Sequence, residues 1–589
     1  MNHYHSIEEN LTNQHSILKS KKSKISTIRL ITFIISIILF TYYILTSNNL
    51  PLYISSITFI VFIILVIKTS KLSTDLNYIE QALEIIKEIK ANTTIDLYTE
   101  DNISYNNVYN KDLDILEGNS LFNIINKTQT KIGNSKLKTF LSHLLLEKNE
   151  IIERQNSFSE IGKKHEWIVK FLTFTKRLNM NQENLFVFEN RVFHNQSIKY
   201  IPIVISTINI IIFIGLACIG FPKELVFYWI IGAVIIGFIV GQIFGKQLAK
   251  VSAYTNLKAD ELSNLYEVFN HIENEKFETK NNTNIQDVFT KPHIASKLVK
   301  TISSSKETLD ASTFPIVGFL LNTFFLWRLY YSLQFENEVQ KTVHLIQPWL
   351  NELAKLEAYV SFAIFNDKHE HFTFPEINNN PYHLVIINGF HPLLDEKIAV
   401  KNSFENNRPN NIAIITGANM AGKSTFLRTV GCNLVLAMNG AKVSAEKMSF
   451  YPMDLFTSIR TVDNLSSGDS YFKNEINKLK ILIDRLENDK PQYIILDEIL
   501  KGTNSEDKLI GSQKFLEKLI KNPTKLVGFI ATHDLELTKM EEEFPENIIN
   551  YSFELKNKDN NYYSDYKLRK GTTKMMNAIF LMKQFRIID

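Results

Sequence analysis

Ile412-Ala413-Ile414-Ile415-Thr416-Gly417-Ala418-Asn419-Met420-Ala421-Gly422-Lys423-Ser424-Thr425 is the stretch that decides the C-terminal fold. Its first four residues are apolar and mostly β-branched, which reads as a buried strand. Gly417 to Ser424 then has the spacing GxxxxGK[ST] of a phosphate-binding loop, and a helical run follows from Ser424. The glycines let backbone N–H groups converge on phosphate oxygens at the positive end of that helix. Lys423 is placed to reach the β- and γ-phosphates of ATP, and the Ser424 hydroxyl to coordinate Mg²⁺. The candidate nucleotide-binding set is therefore Gly417, Ala418, Asn419, Met420, Ala421, Gly422, Lys423, Ser424 and Thr425.

Outward from the loop, a second apolar strand, Tyr493–Leu496, delivers Asp497-Glu498. Beside a phosphate loop, Asp497 suits the Mg²⁺ shell, and Glu498 suits orienting or deprotonating the attacking water. A third strand, Leu526–Ile530, leads to Ala531-Thr532-His533-Asp534. A histidine at the C-terminal end of a strand lies on the ligand-binding edge of the sheet, where His533 can sense the γ-phosphate. The candidate catalytic residues are thus Glu498, His533 and Lys423, and the metal ligands Ser424 and Asp497. Strands alternating with helices predict an α/β domain with a largely parallel sheet over residues 375–589, set off by the turn-rich Phe374-Pro375-Glu376 and Asn378-Asn379-Asn380-Pro381.

The remainder of the 589 residues is of another kind. At about 150 residues per domain the length calls for several units. A mean hydropathy of −0.08 excludes a chain embedded mostly in lipid, but not one with a few spans. With 65 basic and 62 acidic side chains there is no global nucleic-acid footprint. The two cysteines, Cys218 and Cys432, are too far apart to form a framework and fit a reducing compartment. Residues 30–46, 52–67, 201–221 and 225–245 are apolar and uncharged, close to the roughly 20 residues that cross a bilayer. Lys19, Lys21, Lys22, Lys24 and Arg29 precede the first, Lys68 and Lys71 follow the second, Lys199 precedes the third, and Lys246 and Lys250 follow the fourth. Only Lys223 lies in a connecting loop. The positive-inside bias makes two hairpins with every large segment cytoplasmic. The apolar run Phe314–Trp327 is shorter and is expected to be a buried helix rather than a fifth span.

The expected organisation is multidomain. Residues 1–71 hold an N-terminal tail and the first transmembrane hairpin, and 200–246 the second. An all-α core and lever region is divided between 72–199 and 247–374, with apolar positions three and four apart, as in Leu76, Ile79, Leu83, Ile86 and Ile89. The α/β domain completes the chain.

These motifs in this order resemble the ATPase domain of the MutS family. The likeness rests on Ile415–Thr425, Leu496-Asp497-Glu498-Ile499-Leu500-Lys501-Gly502-Thr503 and Ala531-Thr532-His533, with Gly389-Phe390-His391-Pro392 upstream. Asp463–Phe472 with Glu475 resembles the family's signature segment, and Tyr566-Lys567-Leu568 with Gly571 its ending. Asn119–Asn126 with Thr128, Thr130 and Gly133, then Ile152 and Arg154-Gln155, is similar to its helical core. The resemblance implies Mg²⁺-dependent ATP hydrolysis at composite sites in a homodimer formed through the ATPase domain, with Ser470 acting in trans on the partner's γ-phosphate. Leu500 and Lys501 stand where the family usually has Gly and Arg, and Ala418 and Ala421 replace its Pro and Gly. The first 110 residues hold no Phe-x-Glu wedge, the family's mismatch reader.

Two functions are expected from this sequence. One is a membrane-anchored MutS-like ATPase that engages DNA in a mismatch-repair-related role, at a bacterial inner membrane. The other is a DNA-independent, ABC-like mechanochemical ATPase acting on the lipid bilayer or on an unknown protein partner.

Overall fold

Helix dominates the chain as far as residue 368, because apolar residues recur at three- and four-residue intervals with few glycines to interrupt them. The computed structural model describes residues 2–46, 49–91, 107–178, 191–254, 259–459, 471–501, 503–558, 561–573 and 588. Helices Asn2–Thr46 and Asn49–Lys90 form an antiparallel pair. Near the connecting turn, Ser36 and Ser55 each donate a hydroxyl hydrogen bond to the other's carbonyl, at 3.2 and 2.9 Å. Such small polar contacts hold helices together where no water competes. The expected tail is part of the first helix, whose Tyr4 is buried, and the second helix runs unbroken through the expected boundary at 71/72. Beyond that point Leu72, Leu76, Ile79, Ala82, Ile86 and Ile89 turn one face to the core.

Helices Tyr200–Cys218 and Lys223–Tyr254 make the second pair. The two pairs comprise four helices long and apolar enough to cross a membrane, judged by length and composition. The run Phe314–Trp327 is not a buried helix. It folds as Pro315–Phe325 and ends at left-handed Leu326. Phe314, Val317, Phe319 and Leu320 are 64%, 52%, 58% and 50% exposed, because only one side of this short helix finds a partner, on the second pair.

From Trp327 a single 42-residue helix runs to Lys368, a length of about 63 Å. Leu329 and Leu333 near its start pack in one cluster with Val240, Leu248 and Val251 of the second pair. Its C-terminal turns, with Phe362 and Phe365, lie in the large core shared by the helical region and the α/β domain. Asn366 at that end accepts from the Lys442 N–H of the α/β domain at 2.9 Å. Glu357 on this helix is fully buried. It accepts from the backbone N–H groups of Gln129 and Thr130 at 2.9 and 3.2 Å and from the Thr130 hydroxyl. The segment 126–130 is therefore a joint between the long helix and helix Lys131–Ser142, which Thr130 also caps.

The α/β domain contains β1 (Glu376–Ile377), β2 (Leu384–Gly389), β3 (Asn402–Asn406), β4 (Asn411–Gly417), β5 (Lys447–Phe450), β6 (Asp454–Ser458), β7 (Gln492–Asp497), β8 (Leu526–Ala531), β9 (Ile548–Lys558) and β10 (Asn561–Lys570). Its main sheet has the order β10-β9-β4-β8-β7-β6, with β9 to β6 mutually parallel and β10 antiparallel at the edge. A second sheet, β1-β5-β2-β3, is mostly antiparallel, so the domain is mixed rather than simply parallel. Strands β4, β7 and β8 are buried almost throughout, as expected for a parallel sheet covered on both faces.

Candidate nucleotide site

Strands β4, β7 and β8 end at one edge of the main sheet. Ile415 and Asp497 are both in register with Ala531, so the loop, the acidic pair and His533 emerge side by side. Thr532 N–H donates to Ile415 O at 3.0 Å and Glu498 N–H to Ala531 O at 2.8 Å, which ties the three strand ends together.

The loop from Gly417 to Gly422 precedes helix Lys423–Met438. Gly417 and Gly422 carry φ values of 152° and 111°. A Cβ at the first would lie 2.8 Å from Phe553 O, so the backbone path there requires glycine. Ala418 and Ala421 are buried, while Asn419, Met420, Ser424 and Thr425 face solvent. The Lys423 ammonium is folded inward, donating to Gly417 O at 2.8 Å and Ala418 O at 3.2 Å. Burial pulls its pKa down, and the neighbouring Asp497 and Glu498 carboxylates oppose that shift.

Ser424 Oγ donates to Asp497 Oδ2 at 2.6 Å. Two hard oxygen donors side by side at the mouth of a phosphate loop fit Mg²⁺, which takes one or two protein oxygens and completes its shell with water and phosphate. Among the described residues no group of three His, Cys, Asp or Glu could hold a metal ion. His533 Nε2 lies 3.3 Å from Lys423 Nζ and 3.3 Å from Glu498 Oε1. The ring can accept from the ammonium or donate to the carboxylate, so its tautomer selects the partner. Burial, reinforced by Lys423, holds the His533 pKa below its ordinary value and keeps the ring neutral near pH 7. Lys508 stands 3.8 Å from the other Glu498 oxygen.

The structure thus brings together Lys423, Ser424, Asp497, Glu498 and His533. Ser470, expected to act in trans, lies outside the described residues, as do residues 463–469 of the signature stretch. The same signature's Glu475 is described and has a definite part. Buried on helix Tyr471–Glu487, it accepts from the N–H groups of Leu500 and Lys501 at 2.6 and 3.0 Å. Sequence reasoning placed neither Leu394, Ile398 nor Tyr566 at the site, yet all three line its cavity of about 640 Å³. Tyr566, at φ 54°, sits in the irregular register between Ser564 and Leu568 and approaches Gly422. Its position in the motif near the chain's end was the available signal; the bulge that aims it was not visible.

The family described as MutS domain V matches residues 413–584. Among curated proteins, the DNA mismatch repair protein MutS of Clostridioides difficile (strain 630) is 33% identical over 229 residues, 38% of this chain and 24% of that protein. The protein of the same description from Clostridium perfringens is 33% identical over 266 residues, 44% of this chain and 28% of its own. MutS protein homolog 4 of Homo sapiens is 32% identical over 253 residues, 41% of this chain and 26% of that protein. The chain spans about a quarter of the length of these relatives. Residues 413–584 thus carry a domain of the MutS family, and it is over this part of the chain that the likeness to MutS proteins is established.

Proposed function

We propose that this chain is a membrane-anchored, Mg²⁺-dependent ATPase that works as a homodimer with composite sites. The observation that carries the reading is the convergence of Lys423, the Ser424–Asp497 pair, Glu498 and His533 on one sheet edge. In the proposed reaction the loop amides and Lys423 hold the phosphates. Glu498 takes a proton from the attacking water, and neutral His533, in the tautomer that carries its proton on Nε2, donates to the Glu498 carboxylate and fixes it. Mg²⁺, when bound, neutralises charge on the phosphate oxygens. Ser470 of a second copy completes the site. The four long apolar helices support the anchor, and the lysines flanking them support a cytoplasmic ATPase domain at an inner membrane.

The test is turnover by the full chain in lipid nanodiscs. Glu498→Gln is expected to retain ATP and lower hydrolysis by about 10²–10⁴-fold, the usual worth of a general base. Undiminished hydrolysis would remove Glu498 from its role.

Two readings of the output follow. The relatives named DNA mismatch repair proteins support a DNA-linked role in mismatch repair. The unbroken helix Trp327–Lys368, with one end on the second apolar pair and the other against the α/β domain, favours a mechanical role on a membrane partner. Duplex binding that weakens steeply with salt selects the first. Absence of binding at low salt, with ATP and dimer present, selects the second.

A further inference from the structure

We propose that residues 314–325 form a fifth membrane-embedded element, a half-span that enters and leaves the bilayer on the cytoplasmic side, with its apolar face against lipid acyl chains. The proposal rests on the membrane reading of the two helix pairs.

Phe314, Val317, Phe319 and Leu320 present a contiguous apolar face, each at least half exposed. Water would penalise that face, and among the described residues none covers it. The helix touches the second pair inside the apolar stretches 201–221 and 225–245. The Phe324 and Trp229 rings are 4.9 Å apart. Gly237 is so close that a Cβ there would lie 3.5 Å from Thr323 Cα. The exposed face of 314–325 is therefore continuous with the apolar surface of the pair, and whatever solvates one solvates the other.

Polar contacts carry the inference further. A helix that stops inside a bilayer leaves carbonyls with no water to bond, tolerated only where protein supplies donors. Helix Pro315–Phe325 stops at Leu326, and its last carbonyls are met by polar residues of the pair. Asn209 Nδ2 donates to Phe324 O at 2.9 Å, and Ser206 Oγ to Phe325 O at 3.1 Å. Asn209 is itself oriented by Trp229 Nε1, which donates to its Oδ1 at 2.8 Å. Asn209, near the middle of an otherwise apolar stretch, would be a costly residue for a lipid-facing span; as a cap for the terminating helix it has a purpose.

The chain also turns back on itself. Trp327 Nε1, just after the break, donates to Thr308 O, just before the element, at 2.8 Å. Both flanks lie together, which is the geometry of a half-span rather than a crossing. The 42-residue helix that starts at Trp327 therefore meets the bilayer at its cytoplasmic surface, where exposed Arg328 remains in water.

The experiment uses the full chain in phosphatidylcholine vesicles carrying brominated acyl chains. Exposed Cys218 is replaced by serine, and fully buried Cys432 is left in place. An environment-sensitive fluorophore is attached at Phe319→Cys, Ile211→Cys or Ile510→Cys, positions 58%, 63% and 44% exposed. The label at 319 is expected to emit blue-shifted light and lose most of its emission to bromine, as at 211, while 510 stays water-like. Val317→Cys repeats the measurement independently. A water-like 319 beside a lipid-like 211 overturns the half-span and leaves the membrane reading intact. A water-like 211 overturns the membrane reading, and this proposal with it. A membrane-impermeant maleimide should label Ser304→Cys and Gln334→Cys from the same face; labelling from opposite faces would make the element a full span and refute the proposal.

Discussion

Replacing Glu475 with alanine should disable hydrolysis without touching the nucleotide. The Glu475 carboxylate accepts from Leu500 N–H at 2.6 Å and Lys501 N–H at 3.0 Å. These bonds hold a turn in which Glu498 and Leu500 both have positive φ, 60° and 59°. A left-handed conformation costs a residue with a Cβ about 1–2 kcal/mol, so the turn carries about 2–4 kcal/mol of strain. Two hydrogen bonds to a carboxylate contribute about 1.5–3 kcal/mol each, or about 3–6 kcal/mol together. Glu475 therefore more than offsets the strain, and without it the turn relaxes. Glu498 then leaves its position 3.3 Å from His533. A misplacement of about 1 Å can cost about 10²-fold in rate. The expected outcome for Glu475→Ala is a kcat lower by about that factor, with ATP affinity unchanged, since the lysine and the phosphate loop do not contact Glu475. Glu475→Gln, which keeps one acceptor, should fall between. Phosphate-release kinetics give kcat, and equilibrium nucleotide binding gives the Kd. Wild-type kcat in Glu475→Ala would refute this reasoning, and an equal loss of affinity would point to general unfolding.

The remaining predictions concern the ion, the joint and acid stability. Ser424→Ala removes one of the two oxygens proposed for Mg²⁺, so the Mg²⁺ concentration for half-maximal turnover should rise, read from a titration at saturating ATP. Glu357→Ala strips the partner from three donors in a buried joint and should cost about 1–3 kcal/mol for each donor left unsatisfied, measured as a lower denaturation midpoint. His391 is pushed down to about 4, first by burial and then by the Arg428 guanidinium. Its folded pKa lies below the unfolded value of 6.5, so its contribution is complete above pH 6.5 and is lost as pH falls towards 4. That gap corresponds to about 3 kcal/mol, and His391→Asn should flatten the fall in urea midpoint across this window.

The arrangement around Glu357 bears on how nucleotide state could be transmitted. One carboxylate on the long helix caps the loop 126–130, and the same helix meets the α/β domain through Asn366 and Lys442 N–H. Glu357 and Asn366 both lie after Pro348, so these bonds couple the C-terminal segment of the helix to the α/β domain, while the proline marks where the helix can bend.

Much of this protein could be read from local patterns. Gly417 to Ser424 declared a phosphate loop because backbone geometry around phosphate demands glycines and a lysine at fixed short spacing. Asp497-Glu498 and His533 were legible because a parallel sheet presents its strand ends at one edge. The apolar stretches 30–46, 52–67, 201–221 and 225–245 stood out because crossing a bilayer takes about 20 such residues. Strand β9 escaped notice because its buried run 550–553 includes Asn550 and Ser552, so burial there is not marked by an apolar run. What only the tertiary structure decided depends on contacts between residues far apart in the chain. Phe314–Phe325 looked like core by composition, and only its neighbours reveal an exposed apolar face capped by Ser206 and Asn209. Glu357 reaches Thr130 across 227 positions, and Tyr566 meets Gly422 through a bulge in another strand. Periodicity records which side chains are apolar along one element. Which element then covers them, and which buried donor a carboxylate must satisfy, is settled by packing, where distant residues become neighbours.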